Sequence, residues 1–195
     1  MMELKKIQIV TKPLIMKNII SLITLLIFYT SCTAQQTIVD ISNRENWTTN
    51  TYLKDTNNHF NDVLGTWKWE DGNNSFEIVF TKITNYSYEG INMSSDFIIG
   101  RYKYIENGNV IADILNNTGY TPLDFEATLF FNSSTEYGFV IHDVVSNKTK
   151  KGKFIISSSG LDTIATFNIQ NTEGLKFNQS NIEFSLPTEL TLIKQ

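Results

Sequence analysis

The sequence is poor in cysteine, histidine and proline: its 195 residues include one Cys, two His and three Pro. A single cysteine, Cys32, cannot form an intramolecular disulfide, so the fold must be stabilised by a hydrophobic core and by sheet hydrogen bonds. His59 and His142 lie far apart in the sequence and lack the clustered spacing of metal ligands. We therefore predict neither a metal site nor a cofactor.

Recognisable catalytic patterns are also missing from the sequence. It contains no Gly-x-Ser-x-Gly elbow, no His-Glu-x-x-His motif and no glycine-rich phosphate loop. Adjacent carboxylates such as Glu70 and Asp71 lie in an expected β-turn, where acidic side chains are ordinarily solvated. The sequence therefore predicts a protein that is not an enzyme.

Positive charge is scarce in the part of the chain that follows Cys32. Residues 1–32 contain four Lys and one Glu, which leaves 12 basic and 19 acidic residues and a formal charge of −7. Proteins that bind nucleic acid or anionic lipid through their general surface usually carry the opposite charge. We predict no nucleic-acid partner, and membrane contact only through a lipid anchor.

The segment Met16–Gln36 has the pattern of an export signal. Lys17 precedes an apolar run from Ile19 to Tyr29, and the small residues Thr30 and Ser31 stand directly before Cys32. The run is about half of the roughly 20 apolar residues that a membrane-spanning helix needs. We predict a cleaved signal peptide at residues 1–32, with Met16 as an alternative start of translation.

Two cleavage sites are compatible with this signal. Small residues before Cys32 favour a lipoprotein signal, in which the Cys32 thiol carries the acyl chains, and this predicts an outer-membrane or periplasmic lipoprotein. The segment Cys32–Ala34 also satisfies the small-residue rule for cleavage after Ala34, which would release a secreted protein. Export is predicted in both cases.

The chain from Trp67 onward alternates apolar and polar residues in short runs, which is the pattern of antiparallel strands. Asp71-Gly72-Asn73-Asn74 and Glu106-Asn107-Gly108-Asn109 predict tight hairpins, because Asp-Gly and Asn-Gly tolerate positive φ. A single helical turn is expected near Asn58–Leu64, capped by Asn57 or Asn58. The remaining predicted strands are Phe125–Phe131, Phe139–Val145, Lys153–Ser157, Thr163–Gln170, Asn181–Leu186 and Glu189–Ile193, and the remaining turns lie at Ser133-Ser134, Lys150-Lys151-Gly152, Ser158-Ser159-Gly160 and Glu173-Gly174.

About eight to ten consecutive strands must close into a barrel or split into two sheets, because an open sheet leaves its edges unprotected. The simplest closure of a meander is an up-and-down barrel. We therefore predict an all-β fold with a small antiparallel up-and-down barrel at residues 47–195. Residues 33–46 show little pattern and are predicted to form a tether.

Two fragments and the end of the signal carry a family resemblance. YLKDTNNHFNDVLGTWKWEDGNNSFEIVF at 52–80, LPTELTLIKQ at 186–195 and SCTAQQ at 31–36 resemble uncharacterised exported proteins of the phylum Bacteroidota, which form a domain of unknown function. The resemblance spans nearly the whole mature chain. It implies export and implies no activity.

A weaker resemblance lies at Gly65-Thr66-Trp67, where a short turn leads into the first long strand. This is similar to the Gly-x-Trp motif of lipocalin-type barrels, and the resemblance implies that Gly65 and Trp67 form a plug at the closed end. In such barrels a late Arg packs over the Trp, whereas this sequence has no Arg after Arg101. The C-terminal helix of lipocalins is missing as well.

Aromatic residues on the predicted strands suggest what the domain binds. Trp69, Tyr86 and Tyr102 could surround a cavity and hold a small apolar ligand, which makes non-catalytic binding of such a molecule the predicted function. The same rings could instead fill the core, because an eight-stranded barrel is just wide enough for its side chains. The alternative is a scaffold protein of the cell envelope that acts through its surface, with a protein partner that the sequence does not identify.

Overall fold

The computed structural model describes residues 36–46, 48–88, 90–118, 127–170 and 184–195, together with Ile19, Ser21 and Leu22 in helical conformation. The chain divides into two units, residues 1–37 and residues 38–195. The predicted cleavage sites and Cys32 lie outside the described residues. Among the residues that are described, no helix is long and apolar enough to cross a membrane.

The regular secondary structure of the second unit, where it is described, is almost entirely strand, which confirms the predicted all-β class. A short 3-10 helix, Ile41–Asn46, follows the first strand. The eleven strands of the described residues are β1 (Thr37–Asp40), β2 (Thr51–Lys54), β3 (Gly65–Asp71), β4 (Asn74–Ser87), β5 (Met93–Glu106), β6 (Asn109–Asp113), β7 (Ala127–Phe131), β8 (Glu136–Asp143), β9 (Lys148–Ser159), β10 (Asp162–Gln170) and β11 (Glu189–Lys194).

All eleven strands belong to one sheet. The order is β1-β2-β5-β4-β3-β11-β10-β9-β8-β7, and β6 pairs with β5 outside this path. The consecutive strands β3 to β5 and β7 to β11 are antiparallel neighbours, as the meander pattern predicts. In contrast, β2 pairs with β5 in parallel.

The predicted up-and-down barrel is wrong in one respect, because the sheet does not close into a barrel. β4 follows one edge of β5 along its length. The other edge is divided among β2 at residues 93–95, β7 at residues 98–99 and β6 at residues 103–106. Only two residue pairs therefore join β5 to β7. A continuous ladder at this position is prevented because β2 and β6 take the remaining hydrogen-bonding positions.

The two predicted hairpin turns are present. Gly72 lies between β3 and β4 with φ of 58°, and Asn107 and Gly108 join β5 to β6 with φ of 52° and 78°. The turn predicted at Lys150-Lys151-Gly152 is wrong, since these residues lie inside β9 and the chain turns earlier, at residues 144–147. Of the strand predicted at 181–186, residues 184–186 are not in strand conformation and the rest lies outside the described residues.

The core-facing side of the sheet is filled with large rings. The largest fully buried aromatic side chains are Trp67, Phe76, Tyr102, Tyr137, Phe139, Phe154 and Phe167. Several of them meet edge to face, with centroids 5.1 Å apart for Trp67 and Phe154 and 4.9 Å apart for Phe139 and Phe167. Such contacts contribute about 0.5–1.5 kcal/mol each beyond area burial.

The turn before β3 covers Trp67. Trp67 donates its indole N–H to the carbonyl of Val63 at 2.7 Å, and both side chains are fully buried. The Lys194 ammonium lies 5.5 Å from the centroid of the Trp67 ring and donates to the Asp62 carbonyl at 2.6 Å. A lysine of the last strand therefore lies over the tryptophan face, although the sequence has no late arginine. Gly65, with φ of 105°, starts the strand.

Residues 37–46, which the sequence places in a tether, instead form a strand and a helix of the domain. β1 is an outer strand of the sheet, next to β2. The first residue of the 3-10 helix, Ile41, is buried and belongs to the hydrophobic core. Removing this apolar side chain from water favours the packing of the helix on the sheet.

Candidate functional site

None of the three residues predicted to bind a ligand lines the cavity described below. Tyr102 is fully buried, donates its hydroxyl to the carbonyl of His142 at 2.7 Å and accepts from the Val144 amide at 3.2 Å. Trp69 pairs with Phe76 across β3 and β4, and it is partly buried against the core. Tyr86 lies ten positions after Phe76 on β4, and the centroid of its ring is 5.4 Å from that of Phe97.

A cavity of about 160 Å³ lies elsewhere, between the 3-10 helix, β2 and the first half of β5. We refer to it as the β2–β5 cavity. Its apolar wall is formed by side chains from separate parts of the chain. They are Ile41, Leu53, Phe60, Met93, Phe97 and Phe131.

Four further residues give the β2–β5 cavity its polar character: Arg44, Tyr88, Ser95 and Asp96. Burial raises the pKa of the Tyr88 hydroxyl. Tyr88 also packs edge to face on Tyr86, with centroids 5.2 Å apart. Tyr86, predicted to bind a ligand, therefore supports the wall of this cavity through Tyr88 and Phe97.

Asp96 is the buried carboxylate of the cavity, and its oxygens are fully occupied. It accepts from the Tyr52 hydroxyl at 2.6 Å, from the Asn85 amide at 2.9 Å and from the Asp55 amide at 3.1 Å. Burial acts to raise the pKa of Asp96, but these hydrogen bonds outweigh burial and hold the pKa below its ordinary value. Asp96 therefore remains ionised and has no free lone pair directed at a ligand.

The Asn85 amide is available to Asp96 because of an irregularity in β4. The register of β4 and β5 shifts between Ile83 and Tyr86, and Asn85 adopts a positive φ of 51°. Asparagine tolerates this backbone conformation better than most residues. A β-bulge of this kind releases an amide from the sheet ladder, and here the released amide binds a carboxylate beside a cavity.

Lys82 lies between two buried carboxylates and balances one of their two negative charges. Its ammonium lies 2.8 Å from Asp55 Oδ2 and 3.6 Å from Asp96 Oδ2, while the two acidic side chains are 0% and 2% exposed. The same cation lies 5.7 Å from the centroid of Phe60. A buried charge is tolerated only when it is paired and hydrogen-bonded, and all three groups meet this condition.

Asp55 also caps the turn that was predicted near Asn58–Leu64. Its carboxylate accepts from the His59 amide at 2.7 Å and from the Phe60 amide at 3.4 Å. The cap is therefore Asp55, and the prediction of Asn57 or Asn58 is wrong. The turn is short, with the Val63 and Leu64 amides donating to the Phe60 carbonyl.

His59 and Asp40 form a second polar contact near the cavity wall. His59 Nε2 lies 3.1 Å from Asp40 Oδ1, and the centroid of the imidazole ring lies 4.2 Å from that of Phe131, with the two rings tilted by 36°. Burial acts to raise the pKa of Asp40, but hydrogen bonds from Ser42, Thr56 and His59 hold it well below its usual range. This contact ties β1 to the turn and fixes the position of Phe131.

The two histidines have separate partners. His142 lies on β8, where its Nδ1 is 3.0 Å from the Thr149 hydroxyl. Across the described ranges, no group of three or more His, Cys, Asp or Glu side chains could hold a metal ion.

Asp143 organises a structural clip at the C-terminal end of β8. It accepts from the amide and the hydroxyl of Ser185 at 2.6 Å and 2.7 Å, and from the hydroxyl of Ser146 at 2.5 Å. Burial opposes ionisation, but these hydrogen bonds lower the pKa of Asp143. The clip joins the turn after β8 to the segment before β11, and its carboxylate has no free position for a ligand.

Sequence reasoning missed the residues that form the β2–β5 cavity. Strand alternation could have found Lys82, because it continues the core-facing series of Phe76, Ile78 and Phe80. Arg44 and Asp96 carry no comparable signal. Arg44 lies in the predicted tether, and Asp96 is one of several consecutive buried residues in β5.

Comparisons with known proteins identify the family of this chain, and the description of that family names no activity. No curated protein and no solved structure matches the chain significantly. The lipocalin likeness at Gly65 and Trp67 therefore rests on the sequence alone, as does the expected origin of the family in Bacteroidota. The match to a family begins at Met16, and the chain belongs to the family of unknown function DUF6705 over residues 16–195.

Proposed function

We propose that this protein is an exported, lipid-anchored protein of the cell envelope that binds a small apolar group without catalysing a reaction. The observation that carries the proposal is the β2–β5 cavity, whose wall is mainly aliphatic and aromatic. Small-molecule sites are typically concave and mostly apolar, with few polar groups. The proposed binding site therefore lies beside the core residues Ile41 and Phe60 and does not include Trp69 or Tyr102.

The charges at the cavity support binding in preference to catalysis. A general acid or base must reach the proton that it transfers. The carboxylate oxygens of Asp96 and Asp55 instead bind the Tyr52 hydroxyl, the Lys82 ammonium and backbone amides. They fix the walls of the cavity and offer no free reacting atom.

Export and anchoring are proposed from the N-terminal sequence. Lys17, the apolar run Ile19–Tyr29 and the small residues before Cys32 support a lipoprotein signal. The family match starts at Met16, which supports this residue as the start of translation. Acyl chains on Cys32 would hold the domain at the outer membrane or in the periplasm, whereas cleavage after Ala34 would release it.

The proposal is tested by native mass spectrometry of the exported protein after incubation with an envelope lipid extract of the producing cells. We expect a reproducible bound mass below that of a phospholipid. Met93→Trp should abolish it, because the larger side chain fills the cavity. Val110→Trp is the matched control, since Val110 is 56% exposed on β6 and does not line the cavity.

Thermal unfolding keeps this test interpretable. Both variants must unfold cooperatively near the wild-type temperature, and Leu53→Phe provides a second way to fill the cavity if Met93→Trp does not fold. A bound mass that persists in both cavity variants would refute the proposed site. A bare protein mass in the wild type would refute small-molecule binding.

A surface-acting scaffold is the second candidate function. The observation that favours it is the exposure of three apolar side chains: Ile155 on β9 is 36% exposed, Ile193 on β11 is 43% exposed, and Leu161 in the turn after β9 is fully exposed. A bare protein mass combined with photo-crosslinking from position 193, and none from position 110, would support this candidate. Equal crosslinking from both positions would argue against it.

A further inference from the structure

Two ionisable side chains with opposite charges line the β2–β5 cavity, and their environments differ. Asp96 is 4% exposed and is engaged by Tyr52, by Lys82 and by two backbone amides. Arg44 is exposed in the last turn of the 3-10 helix. Within the described part of the chain, Arg44 has neither an ion pair nor a hydrogen bond.

An available guanidinium beside an apolar cavity favours an anion. Arginine presents several N–H donors in a planar fork that matches a carboxylate or a phosphate. The chain as a whole is acidic, with a formal charge of −4, so its overall charge does not attract anions. Asp96 is buried and held by the Tyr52 hydroxyl and two backbone amides, with Lys82 at 3.6 Å, whereas Arg44 is the exposed charge that a bound molecule can reach.

The volume of the cavity limits the apolar part of the ligand. It is about 160 Å³, close to the roughly 150 Å³ of an engineered apolar cavity that accommodates benzene. One aromatic ring or one short branched chain therefore fills the cavity. The flexible Met93 side chain allows the wall to adapt to either shape.

We propose that the ligand is a small amphipathic anion, with one ring or short branched chain in the β2–β5 cavity and a carboxylate or phosphate paired with Arg44. This inference rests on the proposed function, because it specifies the class of molecule that the same cavity takes. Phe60, Phe97 and Phe131 contact the apolar part. Arg44 contributes most of the preference for negative charge.

The test compares three probes of nearly equal shape: phenylacetate, 2-phenylethanol and 2-phenylethylamine. Amide and methionine-methyl chemical shifts of the exported protein are followed during each titration at pH 7 and low salt. We expect phenylacetate to bind about two- to fivefold more tightly than 2-phenylethanol, the range given by an exposed ion pair. The amine should bind most weakly, and the preference should shrink at high salt.

Two variants that each remove one positive charge test whether Arg44 causes the preference for phenylacetate over 2-phenylethanol. Arg44→Gln should bring the affinities for phenylacetate and 2-phenylethanol to the same value within experimental error. Lys54→Gln is the matched control, because it removes a positive charge of β2 that does not line the cavity. It should leave the ratio unchanged.

The outcomes separate this inference from the proposed function. If all three probes bind equally and Met93→Trp abolishes binding, the cavity is a binding site and the preference for an anion is refuted. A preference that survives Arg44→Gln likewise refutes the role of Arg44. If none of the probes binds, or if binding survives Met93→Trp, the proposed function fails together with this inference.

Discussion

Trp67 combines three different interactions on one buried side chain. Its N–H is bound by the Val63 carbonyl, its ring meets Phe154 edge to face, and its face lies under Lys194. The sequence predicted a buried position from the resemblance at Gly65-Thr66-Trp67. The lysine contact could not be predicted, because it joins the last strand to the first long one across most of the chain.

Trp67→Ala is expected to lower the free energy of unfolding by about 3–5 kcal/mol, because a full aromatic volume is removed from a packed core. The measurement is a urea titration monitored by far-UV circular dichroism. Trp69→Ala is the matched control and should cost less, since Trp69 is only partly buried. An unchanged midpoint for Trp67→Ala would show that the side chain is exposed in solution.

Gly152 shows why a turn signal in the sequence misled the assignment of β9. The glycine lies between Phe139 of β8 and Ile169 of β10. A Cβ at this position would stand 2.0 Å from the Asn168 carbonyl oxygen and 2.8 Å from the Ile169 Cα. The residue is glycine because the backbone of β10 approaches it closely. Glycine is favoured both in turns and at such close approaches, so the sequence does not distinguish the two.

Gly152→Ala should destabilise the protein by about 3 kcal/mol or more, since backbone atoms must move to accept the methyl group. Gly160→Ala is the control: Gly160 has φ of 65° and open space around its Cβ position. There the cost is confined to backbone strain of about 1–2 kcal/mol. Equal losses for the two variants in thermal unfolding would contradict the close approach.

At the scale of elements, the two hairpin signals that contain Asp-Gly and Asn-Gly were reliable, whereas the pairing of distant strands was not predicted. The hairpins at 71–74 and 106–109 were predicted because glycine and asparagine turn chemistry acts over four residues. The parallel pairing of β2 with β5 joins segments about 40 residues apart and has no local signature. The same pairing brings Asp55 and Asp96 together, so the charge cluster was missed along with it.

That cluster predicts a specific dependence of stability on pH. The folded state lowers the pKa of Asp96, so its contribution is complete above the unfolded-state pKa of about 3.9 and is lost as the pH falls through the folded-state pKa. Asp96→Asn should therefore cost on the order of 3 kcal/mol at pH 7. The difference from the wild type should shrink as the pH falls below about 4.

Urea titrations at a series of pH values from 7 to 2 measure this effect. Asp113→Asn is the control, because Asp113 forms a surface pair with Lys103 at 2.8 Å and is partly exposed. Its effect should be small throughout the series. A difference between Asp96→Asn and the wild type that stays constant to pH 2 would exclude an ionised Asp96 in the folded protein.

For the molecule as a whole, the sequence predicted the fold class and missed the position of the cavity. Amino-acid composition and the alternation of apolar and polar residues predict the all-β class well, because both signals extend over many residues and single exceptions do not change them. The cavity depends on how the 3-10 helix at residues 41–46 and β2 at residues 51–54 pack on β5, and residues 41–46 were expected to belong to a tether. Aromatic residues were correctly identified as strand residues, but most of them fill the core because their apolar area is large.

The N-terminal segment distinguishes an anchored from a released molecule, and two substitutions decide between them. With a lipoprotein signal, Cys32→Ser should move the protein from the membrane fraction to the soluble fraction, while Ala34→Tyr should have no effect. Intact-mass spectrometry should find the wild-type chain beginning at Cys32 with the added mass of acyl chains. If cleavage follows Ala34 instead, the mature chain begins at Gln35 without lipid, and Ala34→Tyr becomes the variant that blocks processing. The second pattern would refute the lipid anchor and leave export intact.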